Sequence, residues 1–406
     1  MDSDLTQLSF LLLISALVAM LTRRLRLPYT VGLMLAGMAL YVLQIHIKWH
    51  LSKDLIFSVF LPPLVFEAAL FINWKNFKKD LPVIAVLASA GVMFAAAVTA
   101  VGMHYALDWD WGSATIFGVL ISATDPVSVI ATFKQAKVEG RLRLLIEAES
   151  LLNDGTAAVA FVTVLAILTG SHQDFITIAG NLLLTILGGI TVGAATGFGL
   201  MFLAGRTPDY LVEMTFTTLA AYGSFFIAEH FQTSGVLAAL TAGLVVGNFR
   251  SSSAITRAGR QALGPFWEFA AFIANSIIFL LIGAQEAQQH FKGIALPLLV
   301  AVAMVTLGRA VAVYPLCALF IRSRFAVTYQ HQHILFWGGL RGALALALAL
   351  ALPYEMVNHD AIVTVTFAVV AFSVFVQGLT IPLLLRKLRP AMPSKIRAPS
   401  RSEQNG

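Results

Sequence analysis

A chain of 406 residues in which 58% are hydrophobic and only 12% are charged does not have water as its main solvent. Its formal net charge of +6 is spread over connecting segments, so nothing in it calls for a nucleic-acid partner. One cysteine, Cys317, excludes a disulfide framework, a cysteine metal cluster or a redox pair built from this chain alone.

Apolar runs of about 20 residues, the length of a membrane-crossing helix, recur almost end to end. In chain order they begin near residues 6, 28, 54, 81, 114, 141, 175, 210, 233, 265, 295, 331 and 361, which predicts an all-α polytopic membrane protein of about thirteen transmembrane helices. The first run, Leu8 to Leu21, is followed by Arg23, Arg24 and Arg26 instead of a small-residue cleavage site, and is read as a retained helix. Residues 1–389 are expected to form one transmembrane domain. Beyond them Pro390, Pro393 and Pro399, with several Ser and Arg, mark 390–406 as a short disordered tail.

If successive connections alternate sides, one set carries Arg23, Arg24 and Arg26, then Lys75, Lys78 and Lys79, then Lys134, Lys137, Arg141 and Arg143, then Arg206, Arg250, Arg257, Arg260, Arg322 and Arg324, and finally the basic tail. The other set holds Lys48, Lys53 and Lys292. This bias predicts an outside N-terminus and a cytoplasmic C-terminus. Histidines such as His46, His50, His104 and His172 fall in loops or at helix ends without ligand spacing.

The informative residues are those a lipid-embedded helix should not contain, because ionisable groups at bilayer depth are costly and usually functional. Five stand out: Glu67, Asp125, Glu149, Asp154 and Arg341. At a rise of about 1.5 Å per residue, Glu67, Asp125, Asp154 and Arg341 lie about 15 to 20 Å along their runs, close to the midplane of a hydrocarbon core about 30 Å thick. Four separate segments therefore bring charge to one depth.

At about 100° per residue, Ser150 and Asp154 share a helix face, whereas Glu149 lies about 140° away. Asp154 with Ser150 is expected to face an ion site. Glu149 faces elsewhere and needs its own cation; Arg341 is the expected partner, and Arg309, also inside an apolar run, is read either as a neutralising charge or as a purely structural one.

Two segments read as broken helices, the usual source of ion-coordinating backbone in transporters. In Ser122-Ala-Thr-Asp-Pro126 the proline removes a backbone donor and disfavours helix at Asp125, freeing carbonyls near Thr124. In Trp337-Gly-Gly-Leu-Arg-Gly342, three glycines weaken the helix at matching depth. Their places in the first and last six runs are those of an inverted repeat, with the two broken helices entering from opposite sides and crossing.

Six segments then carry a resemblance: Phe60-Leu-Pro-Pro-Leu-Val-Phe-Glu67-Ala-Ala, Ala123-Thr-Asp-Pro-Val-Ser128, Glu149-Ser-Leu-Leu-Asn-Asp-Gly155, Ser234-Gly-Val-Leu-Ala238, Ala242-Gly-Leu-Val-Val-Gly-Asn248 and Gly338-Gly-Leu-Arg-Gly-Ala343. In that order the chain resembles the NhaP-type sodium/proton antiporters of the monovalent cation:proton antiporter-1 family, kin to the eukaryotic sodium/proton exchangers. The resemblance implies a homodimer in which a mobile six-helix core slides against a fixed interface domain. It implies a sodium site at Asp154, the main ligand and proton carrier, with Ser150, the Thr124 carbonyl and Glu67 supporting it and Asp125 ordering the crossing. Asn153 matches the Asn-Asp pair of electroneutral members, and Glu149 and Arg341 match a structural ion pair. No cofactor is implied, and a bacterial inner membrane is the expected location.

A carboxylate holds a proton or a hard cation but scarcely both, so competition at Asp154 would itself couple the two fluxes. A potassium/proton antiporter would use the same carboxylates, and flux measurements with different cations separate the two. An ion channel lacks support, because no re-entrant carbonyl filter is recognisable. An enzyme lacks it too, because no nucleophile triad, zinc motif or phosphate loop lies at membrane depth.

Overall fold

The computed structural model describes residues 2–25, 27–45, 51–126, 129–130, 133, 138–170, 175–249, 255–289 and 295–388. Arg26, His46, Lys48, His50, Val127, Ser128, Lys134, Lys137, His172, Arg250, Lys292 and the expected tail 390–406 lie outside the described residues.

Among the described residues the architecture is helical. We number the helices α1 (Asp2–Leu25), α2 (Tyr29–Val42), α3 (Leu55–Leu70), α4 (Trp74–Ala88), α5 (Ala90–Leu107), α6 (Trp111–Leu120), α7 (Arg141–Leu168) and α8 (Phe175–Ala204). Then follow α9 (Tyr210–His230), α10 (Gly235–Phe249), α11 (Arg257–Glu286), α12 (Ala295–Ala318), α13 (Tyr329–Trp337), α14 (Ala343–Ala349) and α15 (His359–Leu388). Among the described residues, 8 helices are able by length and composition to cross a membrane, with α4 and α5 forming a single span; α2, α3, α6 and α10 are shorter apolar helices. The outward faces of α1 and α8 present Leu13, Leu17, Met20, Ile176, Leu183 and Phe202, as expected where lipid tails replace water.

Helix starts follow local capping chemistry. The side chains of Asn73, Asp110, Asp209, Thr256 and Thr328 each accept a hydrogen bond from a backbone amide in the first turn of α4, α6, α9, α11 and α13, which satisfies donors the helix itself leaves unpaired. The start of α11 is clamped further by buried Glu213 of α9, which accepts from the Thr256 amide (2.8 Å) and hydroxyl (2.9 Å).

Apolar packing falls into three clusters. The largest joins mainly α4–α7 to α12–α15. A second joins α1, α2 and the start of α3 to α11, with contributions from α14 and α15. A third joins the end of α3 to α8–α11. Small residues set the closest approach: at Gly37 of α2 and Gly283 of α11 a Cβ would collide with the opposing helix backbone, so these two helices meet with almost no side chain between them. α3 runs between the large cluster and the other two, and this boundary holds the cavity described next.

Candidate functional site

Both predicted helix breaks are present, and they meet. After α6 the segment Ala123–Pro126 is non-helical, as is the stretch between α13 and α14. The Asp125 amide donates to the Leu340 carbonyl at 2.7 Å, joining the two interruptions. The Arg341 guanidinium donates to the carbonyls of Ser122 (2.6 Å) and Ala123 (3.0 Å). A break at membrane depth frees carbonyls that have no water to bond, and buried Arg341 supplies the missing donors. Its own amide donates to the Ser373 hydroxyl at 2.8 Å, in a π-helical stretch of α15. A Cβ at Gly342 would collide with the Asp125 side chain, so glycine is what lets the segments cross so closely.

Helix α7 passes this crossing and shows it two different faces. On one, Asp154 opens into a cavity of about 80 Å³ whose lining includes Glu67 of α3, Thr124, Asp125 and Pro126 of the first break, Gly342 of the second, and Asn275 of α11. That volume holds several waters or a partly hydrated small cation. Among the described residues the Asp154 carboxylate accepts no hydrogen bond. Three carboxyl-bearing side chains, a threonine and an amide thus surround one space, a donor set of hard oxygens suited to an alkali cation or to protons.

Ser150 and Asn153 do not line the cavity; both stand one bond behind it. The Ser150 and Thr124 hydroxyls are 3.0 Å apart. The Asn153 amide donates to the Thr124 hydroxyl at 2.6 Å, while its oxygen accepts from the Thr124 backbone at 3.3 Å. The same amide donates to Glu149 at 3.1 Å, so Asn153 ties the broken segment to the second face of α7.

That second face corrects the expected pairing. Glu149 does not pair with Arg341; it is held at both oxygens by Arg309 of α12, at 2.7 and 3.0 Å, and Arg309 also donates to the Leu335 carbonyl at 3.0 Å. Both partners are buried. The physical reason is that the helical angle fixes which way Glu149 points but not which helix it meets. Arg341 is already engaged by the carbonyls of the break, which leaves Arg309 for the carboxylate. Of the two readings left open for Arg309, neutralisation of a deep carboxylate is the one observed.

Asn275 carries no ionisable group, so charge at membrane depth does not single it out in the sequence. The signal available was a lone amide deep in an apolar run, between Ala274 and Ser276.

A helical membrane protein whose two interrupted helices cross beside a carboxylate-lined cavity is a secondary transporter of small cations by architecture. The sodium/hydrogen exchanger transmembrane family model matches residues 10–387, and the chain belongs to that family, whose members are secondary transporters and not enzymes and work without a cofactor. The chain is 39% identical to the Na(+)/H(+) antiporter ApNhaP of Aphanothece halophytica over 373 residues, covering 89% of this chain and 70% of that protein. It is 36% identical to the low-affinity Na(+)/H(+) antiporter NhaS1 of Synechocystis, covering 95% and 75%, and 31% identical to the Na(+)/H(+) antiporter NhaH of Halobacillus dabanensis, covering 94% and 97%. The solved sodium proton antiporter MjNhaP1 of Methanocaldococcus jannaschii superposes with a TM-score of 0.77 at 20% identity, over 95% of this chain and 99% of that one, a likeness of fold.

Proposed function

We propose that this protein exchanges sodium for protons across a cell membrane, with cation and proton competing for Asp154. The observation that carries the reading is the cavity in which Asp154 stands with Glu67, Thr124 and Asp125 at the crossing of two broken helices. Sodium is favoured over potassium because the named relatives at 31 to 39% identity are Na(+)/H(+) antiporters. We take sodium's ligands to be Asp154, Glu67 and the Thr124 carbonyl, with Ser150 acting through Thr124 and Asp125 keeping the crossing in order.

The cavity lies where the large apolar cluster meets α3 and α11. This supports alternating access in which α4–α7 and α12–α15 slide as a core against the remaining helices, thirteen passages in all, related by an inverted repeat. With Asn153 neutral, one exchanging carboxylate moves one cation per proton and no net charge. Transport currents that follow voltage under balanced gradients would contradict that. A homodimer in a bacterial plasma membrane, with the C-terminal tail cytoplasmic, completes the reading.

Sodium-driven pH change in proteoliposomes tests it, comparing native protein with Asp154→Asn and repeating the assay with potassium. Exchange is expected with sodium in the native protein and abolished in the variant, which should still purify as a folded protein. Equal exchange by both proteins removes Asp154 from the mechanism, and exchange with potassium alone assigns the other cation.

A further inference from the structure

The outer end of α11 carries a second acidic position that the exchange site does not use. Glu286 is 2% exposed, and among the described residues its Oε2 has no hydrogen-bond partner; the adjacent Gln285 Oε1 is likewise buried without one. A carboxylate buried at the end of an apolar span is costly, and a buried acceptor oxygen with nothing to accept from calls for an explanation.

Position along the helix supplies one. Asn275, which lines the cavity, and Glu286 are eleven residues apart on α11, which at about 100° and 1.5 Å per residue places them about 20° apart in azimuth and about 16 Å apart along the axis. Between them on this face lie Ile278, Phe279 and Ile282, each fully buried, which forms an apolar seal. Just past the helix, Gln289 accepts a hydrogen bond from Thr364 of α15 at 3.2 Å, and Ile278, Phe279 and Ile282 belong to the second apolar cluster, to which α14 and α15 contribute, so α15 accompanies α11 at this end.

We propose that Glu286, assisted by Gln285, is a way station for the transported cation on the far side of the Ile278, Phe279 and Ile282 seal from Asp154. This rests on the exchange reading above, and by the distribution of basic loops the station lies toward the outer face. The ligand class is a hard monovalent cation, held by the Glu286 carboxylate and the Gln285 amide oxygen. When the core slides along α11, the Asp154 site and this station would be served in turn from the same helix face.

The test compares native protein with Glu286→Gln in right-side-out and everted vesicles, measuring exchange against sodium concentration. The expected result is a half-saturating sodium concentration raised about fivefold or more when sodium is supplied from the Glu286 side, and unchanged from the other. An unaltered variant, or an equal change from both sides, overturns the proposal. Glu286→Asp, which keeps a carboxylate on a shorter stem, replaces the Gln variant if that fails to fold, with the same asymmetry expected. A second measurement does not require exchange: thermal unfolding of purified Asp154→Asn in sodium chloride against choline chloride. A residual sodium-specific rise that disappears in the Asp154→Asn/Glu286→Gln double variant is expected; no rise, or one that persists in the double variant, overturns the proposal. Loss of exchange in the native protein would count against the proposed function, whereas this thermal comparison bears on Glu286 alone.

Discussion

The two faces of α7 each hold a carboxylate inside the span, about 7.5 Å apart along the helix axis, and treat them differently. Glu149 is closed in: Arg309 grips both of its oxygens, Asn153 donates to one of them, and it is 1% exposed. Asp154, five residues on, opens into a cavity shared with Glu67 and Asp125. A carboxylate matched to a fixed guanidinium has its charge compensated inside the protein and gains nothing from a visiting ion. One facing other carboxylates across a small cavity has a standing demand for positive charge, which a proton or a sodium ion can meet. On the proposed function, the difference separates a charge compensated within the protein from one left for a transported ion to compensate, on a single helix.

Breaking the closed face should have the larger effect on the fold. Arg309→Met leaves Glu149 buried without its cation and is expected to destabilise the protein by about 3 to 5 kcal/mol, read as loss of folded protein in detergent by thermal unfolding. Replacing both partners, as Glu149→Leu with Arg309→Met, should recover much of that loss, because an apolar pair of similar volume avoids the uncompensated charge. If the single and double variants are equally unstable, the pair is not the unit described here. By contrast, Asp154→Asn should leave stability intact and remove exchange.

A smaller effect sharpens the comparison on the open side. Gly342→Ala places a methyl group against the Asp125 side chain, and overpacking of this kind costs typically about 1 to 3 kcal/mol. Because Gly342 and Asp125 both line the cavity, the variant is expected to lower exchange more than its loss of stability explains. Exchange that falls only in proportion to folded protein would show that the crossing tolerates the added volume.

Much of the fold and site could be read from residue order. The apolar runs fall on helices, and the breaks at Asp125-Pro126 and at Gly338 to Gly342 follow from elementary backbone chemistry: one lacks an amide, the other lacks side chains. Depth along each run brought Glu67, Asp125 and Asp154 together, because helical rise is nearly constant. The partner of Glu149 was not legible for the reason already visible in Arg309: a one-dimensional sequence gives azimuth on α7 but not which of two arginines lies across the gap. Asn275 was hidden because an amide carries no charge penalty large enough to stand out in an apolar run. The retreat of Ser150 behind Thr124 depends on the path of the broken segment, which no periodicity encodes.

Competition between sodium and protons for Asp154 is open to measurement through the half-saturating sodium concentration of the native protein in proteoliposomes, taken at a series of pH values with equal pH on both sides. With a shared site, that concentration rises on acidification, approaching about tenfold per pH unit once the carboxyl is mostly protonated, while the maximal rate at saturating sodium is preserved. A sodium affinity that stays constant across that range would contradict a shared site.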